Sequence, residues 1–247
     1  MNTHYFRIES REYRIKCKIM LPNDEKVSKV ILGIHGFGGD MESSALEKLA
    51  QVMTERGAGI VCFNFPSHGT SRAAPEKLTV ENCKKYLLCV ADYCRELYPD
   101  AEKSVFATSF GGYIALLCAD SLADFKLVLR APAVTMPEHI LLDILGLSEE
   151  KYREAGTAVL HFDKKMIIPF SFYESLKKNS IINRTFSRQA LIIHGDCDDI
   201  VPRADILEFC KINPQMKLFN VAGADHRFKK PGELDKVISA AREYIEK

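Results

Sequence analysis

The sequence predicts an α/β fold, with a mostly parallel central sheet covered by helices on both faces. Three observations carry that prediction. Short apolar runs of strand length recur along the chain and alternate with longer stretches that have the apolar spacing of amphipathic helices. Most of those short runs are apolar throughout, as strands buried between two helical layers must be. No repeat, heptad or low-complexity tract interrupts the pattern, and a chain of 247 residues with 47% hydrophobic content is long enough for one well-buried core. A single domain over residues 1–247 is therefore expected.

The elements follow in order. Tyr5 to Ile8 and Tyr13 to Leu21 read as an antiparallel entry pair. Val30 to Ile34 is a buried strand that runs into His35-Gly36-Phe37-Gly38-Gly39, a glycine-rich loop able to present backbone N–H groups, and then into a helical stretch from Met41 to Arg56. Ile60 to Phe65 is the next strand and Thr79 to Tyr98 the next helix. The strand Ser104 to Thr108 meets a helix spanning Phe110 to Asp120 with only Ser109 between them. Leu127 to Arg130 follows. Residues 133–188 are too many for a normal crossover and are expected to fold over the strand ends as a short cap. Ala190 to Ile193, a helix from Arg203 to Lys211, a strand from Lys217 to Val221 and a final helix from Glu233 to Glu246 complete the series.

Chemistry concentrates at the strand ends. Ser109 lies in Ala107-Thr108-Ser109-Phe110-Gly111-Gly112, at a strand-to-helix junction with small residues two before and two after it. That is the setting of a nucleophile elbow, usually written G-x-S-x-G, in which a strained turn exposes the serine hydroxyl. Alanine replaces the first glycine, a departure of one methyl group. Downstream, His194-Gly195-Asp196-Cys197-Asp198-Asp199 crowds acids at one strand end, and His226 lies in a loop between the last strand and the last helix. A serine hydroxyl is a poor nucleophile near neutral pH. It needs a base within hydrogen-bond reach and a third group to fix that base's tautomer. His226 is the best-placed base, and the chain order is Ser, Asp, His.

With these motifs in order, the chain resembles the α/β-hydrolase superfamily over nearly all its length apart from residues 133–188. Within it, the sequence is most similar to small bacterial carboxylesterases of the cinnamoyl and feruloyl esterase type, which in turn resemble the serine aminopeptidase and monoacylglycerol lipase group. Shared pieces are the H-G-F-x-G loop at His35 to Gly39, the H-G-x-S turn at His68 to Ser71, and the H-G-D-x-D-x-x-V-P loop at His194 to Pro202. The related elbow generally reads G-H-S-x-G-G, so Ala107 and Thr108 depart from it. The resemblance implies an α/β-hydrolase fold with Ser109 as nucleophile, His226 as base and Asp198 as the orienting acid. Asp196 and Asp199 are alternatives to Asp198, more suited to capping turns or bonding loop amides. The backbone N–H groups of Phe37 and Phe110 are the implied oxyanion donors.

Composition narrows the partners. A formal net charge of +1 gives no electrostatic case for nucleic acid or a membrane surface. Met1 to Met20 is too polar for a signal peptide, no later run approaches a membrane span, and the eight cysteines read as reduced thiols, so a cytoplasmic location is expected. Cys83, Cys89 and Cys94 suit one helix rather than a metal site; no metal or organic cofactor is expected. Nothing fixes an oligomeric state. The apolar and aromatic runs Ile140 to Leu145 and Met166 to Tyr173 tilt the expected substrate towards a small-molecule ester with a small or medium, apolar or aromatic acyl group. Lysophospholipase or monoacylglycerol lipase, thioesterase and serine aminopeptidase activities are alternatives, the last requiring an acid for the substrate's amine among Asp143, Glu149, Glu150, Glu154, Asp163 and Glu174. A hydrolase-fold protein that only binds a ligand is the competing class; it would follow if the Ala107 methyl opened the elbow and kept Ser109 from His226.

Overall fold

The computed structural model describes residues 1–10, 12–162 and 164–247. Eight strands form one sheet: β1 (Asn2–Glu9), β2 (Arg14–Leu21), β3 (Lys29–Ile34), β4 (Ala58–Phe63), β5 (Glu102–Thr108), β6 (Phe125–Arg130), β9 (Ala190–Gly195) and β10 (Met216–Val221), in the order β1-β2-β4-β3-β5-β6-β9-β10. The pairs β1–β2 and β2–β4 are antiparallel and all others parallel, the topology of the α/β-hydrolase fold.

The two-residue period of a strand divides the core. Val30, Leu32 and Ile34 of β3 face one apolar cluster, completed by α2 (Val80–Leu97) and α3 (Phe110–Leu117), whereas Ile31 faces another, completed by α1 (Ser44–Thr54) and α8 (Glu233–Ile245). Gly33, on that second face, leaves room for Leu46: a Cβ there would lie 2.8 Å from the leucine Cδ2. Each large apolar side chain fully buried in these layers is worth about 1.5–3 kcal/mol.

Element ends shift where side chains capture backbone groups. Helix α1 starts at Ser44 rather than Met41 because the amide of Met41 donates to Asn64 Oδ1 at 2.8 Å and that of Glu42 to Asp40 Oδ1 at 2.9 Å, holding a loop. Strand β4 stops at Phe63, and the amide of Phe65 beyond it donates to His35 Nε2 at 3.1 Å.

Between β6 and β9 the chain forms α4 (Pro137–Leu145), α5 (Glu149–Ala155), an antiparallel hairpin of β7 (Thr157–His161) with β8 (Lys165–Pro169), and α6 (Phe170–Lys178). Glu149 ties two of these together, accepting from Tyr173 Oη at 2.6 Å and pairing with Arg153 and Lys177. Helix α6 packs on α2, where Ser175 Oγ accepts the amide of Val80 at 3.1 Å, and Tyr113 of α3 donates its hydroxyl to the carbonyl of Asn179. Helix α7 (Arg203–Ile212) precedes β10.

Candidate active site

Ser109 joins β5 to α3 with φ 51° and ψ −116°, a backbone conformation that costs a non-glycine residue of order 1–3 kcal/mol. Its surroundings over-determine it. The Ser109 amide donates to the carbonyl of Arg130 at 2.8 Å, and the Ser109 carbonyl accepts from Tyr113 and Ala133. The neighbouring glycines have no room for a side chain: a Cβ on Gly111 would lie 2.5 Å from the carbonyl oxygen of His35, and one on Gly112 would lie 2.9 Å from Pro132 Cβ. Ala107 is fully buried within β5, opposite Ile34 and Leu129, and its methyl group does not open the turn.

Ser109 Oγ lies 3.0 Å from His226 Nε2. On the other side of the ring, His226 Nδ1 is 2.8 Å from Asp198 Oδ2 and 3.0 Å from Oδ1. The Asp198 side chain has no exposed surface and also accepts the amides of Ile200 at 2.9 Å and Val201 at 2.7 Å. Burial alone would raise this carboxyl, but the bonds from His226 and from the two amides outweigh it and hold it below the usual carboxylate range. An ionised Asp198 accepts the Nδ1 proton, which leaves the Nε2 lone pair facing the serine hydroxyl.

The other acids of that loop sit elsewhere. Asp196 accepts the amide of Gly223 and bonds Asn220 Nδ2, fastening the turn after β10, and Asp199 is exposed. His194 is buried with Nε2 donating to the carbonyl of Val201 at 3.0 Å. His35 and His68 are buried in the loops behind the elbow; burial depresses them to about 4 and about 3 respectively, so both are neutral.

The amides of Phe37, in the glycine-rich loop, and Phe110, the first residue of α3, donate to no carbonyl among the described residues. Their rings belong to an aromatic group: Phe37 stacks on Phe172 at 5.6 Å, and both meet Phe110 edge-on. This group walls a cavity of 580 Å³ that opens on Ser109 and His226 and is lined by Ile140, Leu141, Ile144, Leu176 and Ile200 as well. Of the two apolar runs singled out in the sequence, Ile140, Leu141, Ile144 and Phe172 reach this cavity, whereas Met166 and Ile167 line a neighbouring one. None of Asp143, Glu149, Glu150, Glu154 and Glu174 lines the apolar cavity; Asp163 lies outside the described residues.

Sequence reasoning missed Arg130 and Phe162. Arg130 ends β6 beside the elbow, only 7% exposed, with its guanidinium 4.8 Å over the ring of Phe228 and donating to the carbonyl of Arg227 at 2.8 Å. Burial pushes it down to about 10, with Asp198 and Asp225 acting against the shift. Its signal was weak: a charged residue closing a strand that carries a second cation, Lys126. Phe162, at the tip of the β7–β8 hairpin, had none.

The family model described as serine aminopeptidase, S33, matches residues 25–168, more than half of the chain and inclusive of the elbow. The chain belongs to the serine aminopeptidase S33 family. No curated protein matches it by sequence. Among solved structures, this S33 member is similar to ferulic-acid-bound Est1E from Butyrivibrio proteoclasticus (22% identity, 98% of this chain and 100% of that one, TM-score 0.81). It is also similar to the α/β-hydrolase domain-containing protein 10 from mouse (17% identity, 98% of each chain, TM-score 0.75). A third is an α/β serine hydrolase without lid from Xanthomonas campestris (20% identity, 99% of this chain and 94% of that one, TM-score 0.68). These likenesses establish the α/β-hydrolase fold of the S33 chain. The S33 match itself ends before Asp198 and His226, which come together with Ser109 only through the sheet.

Proposed function

We infer that this S33 hydrolase cleaves carboxylic esters with a small or medium, apolar or aromatic acyl group, through an acyl-enzyme intermediate. The observation that carries the reading is the chain of contacts Ser109 Oγ to His226 Nε2 at 3.0 Å and His226 Nδ1 to Asp198 at 2.8 Å, at the mouth of an apolar, aromatic cavity. Ser109 Oγ attacks the ester carbonyl as its proton passes to His226 Nε2, and Asp198 stabilises the resulting imidazolium. The amides of Phe37 and Phe110 donate to the oxyanion; one such donor is worth roughly 10²–10³ in turnover. The tetrahedral intermediate collapses, the carbon–oxygen bond to the alcohol breaks, and His226 returns the proton to the departing oxygen. Water repeats the attack, releasing the acid and restoring Ser109.

Two observations support an ester over an amino-terminal peptide. No carboxylate among the described residues lines the cavity to hold a substrate ammonium, and its walls are largely apolar. The ferulic acid held by Est1E, a protein of the same fold, is an aromatic acid of the size expected for the acyl product. Intact-mass analysis after a fluorophosphonate probe tests the nucleophile. One adduct on the native chain, absent in Ser109→Ala, is expected, followed by turnover of short-chain and cinnamoyl esters. No adduct on folded protein would leave a binding protein; an adduct with thioester or peptide turnover and none of esters would replace the substrate class.

A further inference from the structure

Ser109, Asp198 and His226 follow the ends of β5, β9 and β10, whereas β6, which lies between β5 and β9, supplies none of them. Arg130 closes β6, opposite Thr108 on one side and Ile193 on the other. It is tied to both halves of the site. Its carbonyl accepts the amide of Ser109 at 2.8 Å, and its Nη2 donates to the carbonyl of Arg227, the residue after the base, at 2.8 Å.

The turn that carries His226 needs such a hold. Phe228 is a buried non-glycine residue at φ 55°, in the left-handed region that side chains disfavour, and its ring lies 4.8 Å from the Arg130 guanidinium stacked over it. Asp225 braces the turn from within, its Oδ1 accepting the amide of Arg227 at 2.9 Å, and Arg130 braces it from the sheet. Asp198 holds the imidazole through Nδ1 but does not hold the backbone beneath it.

Stability alone does not account for a cation in this place. No carboxylate pairs with Arg130 directly among the described residues, its Nε has no partner there, and Asp198 and Asp225 favour its charge only from a distance, so burial pushes it down to about 10. A well-packed apolar side chain of similar length commonly stabilises a fold as well as a buried charge, or better. We propose that Arg130 is a positioning residue: by holding the Arg227 carbonyl and the Phe228 ring from the same strand end that holds the Ser109 amide, it fixes the distance between His226 and the serine hydroxyl. This rests on the ester-hydrolysis reading above and adds no group to the chemistry.

Steady-state kinetics on one short-chain ester, with Tm measured alongside, test it in Arg130→Met and Arg130→Lys. A misplacement of about 1 Å can cost about 10²-fold, so Arg130→Met is expected to fold with kcat lower by about 10²-fold and KM changed by less than about threefold. Arg130→Lys can still donate to the Arg227 carbonyl and should recover about tenfold of that loss. Wild-type kcat in folded Arg130→Met, a raised KM at unchanged kcat, or a lysine variant no faster than the methionine one overturns the positioning role, while turnover by the wild type keeps the hydrolase reading. If Arg130→Met does not fold, Phe228→Leu decides: losing the ring face should lower kcat by about threefold or more, and wild-type kcat there overturns the role. No turnover of any ester by the wild type overturns both.

Discussion

In the proposed mechanism Asp198 acts through a single proton. Its carboxylate accepts from His226 Nδ1 and from two backbone amides, so it has no freedom to release the ring. Asp198→Asn keeps the size of the side chain but can offer Nδ1 an N–H, which favours the tautomer whose Nε2 proton faces Ser109. We expect kcat to fall by about 10³–10⁴-fold, with KM changed by less than about threefold, because the loss is confined to the transition state. A fall in KM matching that in kcat, in steady-state kinetics on the best ester, would place Asp198 outside the proton path. Residues of this kind differ in how legible they were. Ser109 and His226 follow from local pattern, a serine at a strand-to-helix junction and a histidine after the last strand. Asp198 could be preferred over Asp196 and Asp199 only through the resemblance, since three acids share one loop and the sheet decides which of them meets His226. Arg130 was illegible because a strand-ending arginine is ordinarily solvated. It is buried here because Arg227 and Phe228, almost a hundred residues later, fold over it.

At the scale of elements, the elbow depends on how closely α3 approaches the loop after β3. Gly111→Ala would drive a methyl group against the backbone oxygen of His35, which cannot rotate away, and against Ile34 Cγ2 at 2.8 Å. Overpacking of this kind costs about 1–3 kcal/mol. Calorimetry should show a lower Tm together with reduced kcat, because Phe110, whose amide is the proposed oxyanion donor, begins the displaced helix. An unchanged Tm would mean that α3 can slide without loss. The frame's strands were readable as short, mostly apolar runs and its longer helices by their apolar spacing, and some shifted ends are places where a side chain, Asn64, Asp40 or His35, takes a backbone group that periodicity cannot register. Residues 133–188 gave no element-level reading. Their helices are short and the β7–β8 hairpin is half exposed, so neither period persists long enough to stand out.

For the whole molecule, the two neutral histidines behind the elbow contribute to how it responds to acid, as does buried His194, also shifted down by burial. His35 and His68 are held at about 4 and about 3 by burial, whereas in the unfolded chain histidine titrates near ~6.5. Between those values the unfolded state binds protons that the folded state refuses, so stability falls as pH drops from about 6.5 and levels off only below the folded values. Each histidine should remove about 2 kcal/mol by pH ~5. Asp198 acts over a lower range: its lowered carboxyl stabilises the fold above the ordinary carboxylate range, and that contribution is lost as pH falls through that range and below it. Urea midpoints at pH ~7 and ~5 should therefore differ clearly, and His68→Asn should remove part of the difference; equal midpoints would mean that these rings charge inside the fold. The sheet has one more consequence. The chain leaves β6 and returns to β9, its parallel neighbour, and α6, packed on α2, would by itself complete that crossover. Residues 134–169 are thus additional to the eight-stranded register, and no strand pair in it depends on them. The stretch is separable from the sheet's hydrogen-bond ladder but not from its core, to which it contributes Val134, Leu141, Tyr152 and Ile168, while Ser109, Asp198 and His226 stand on segments that follow strands outside it.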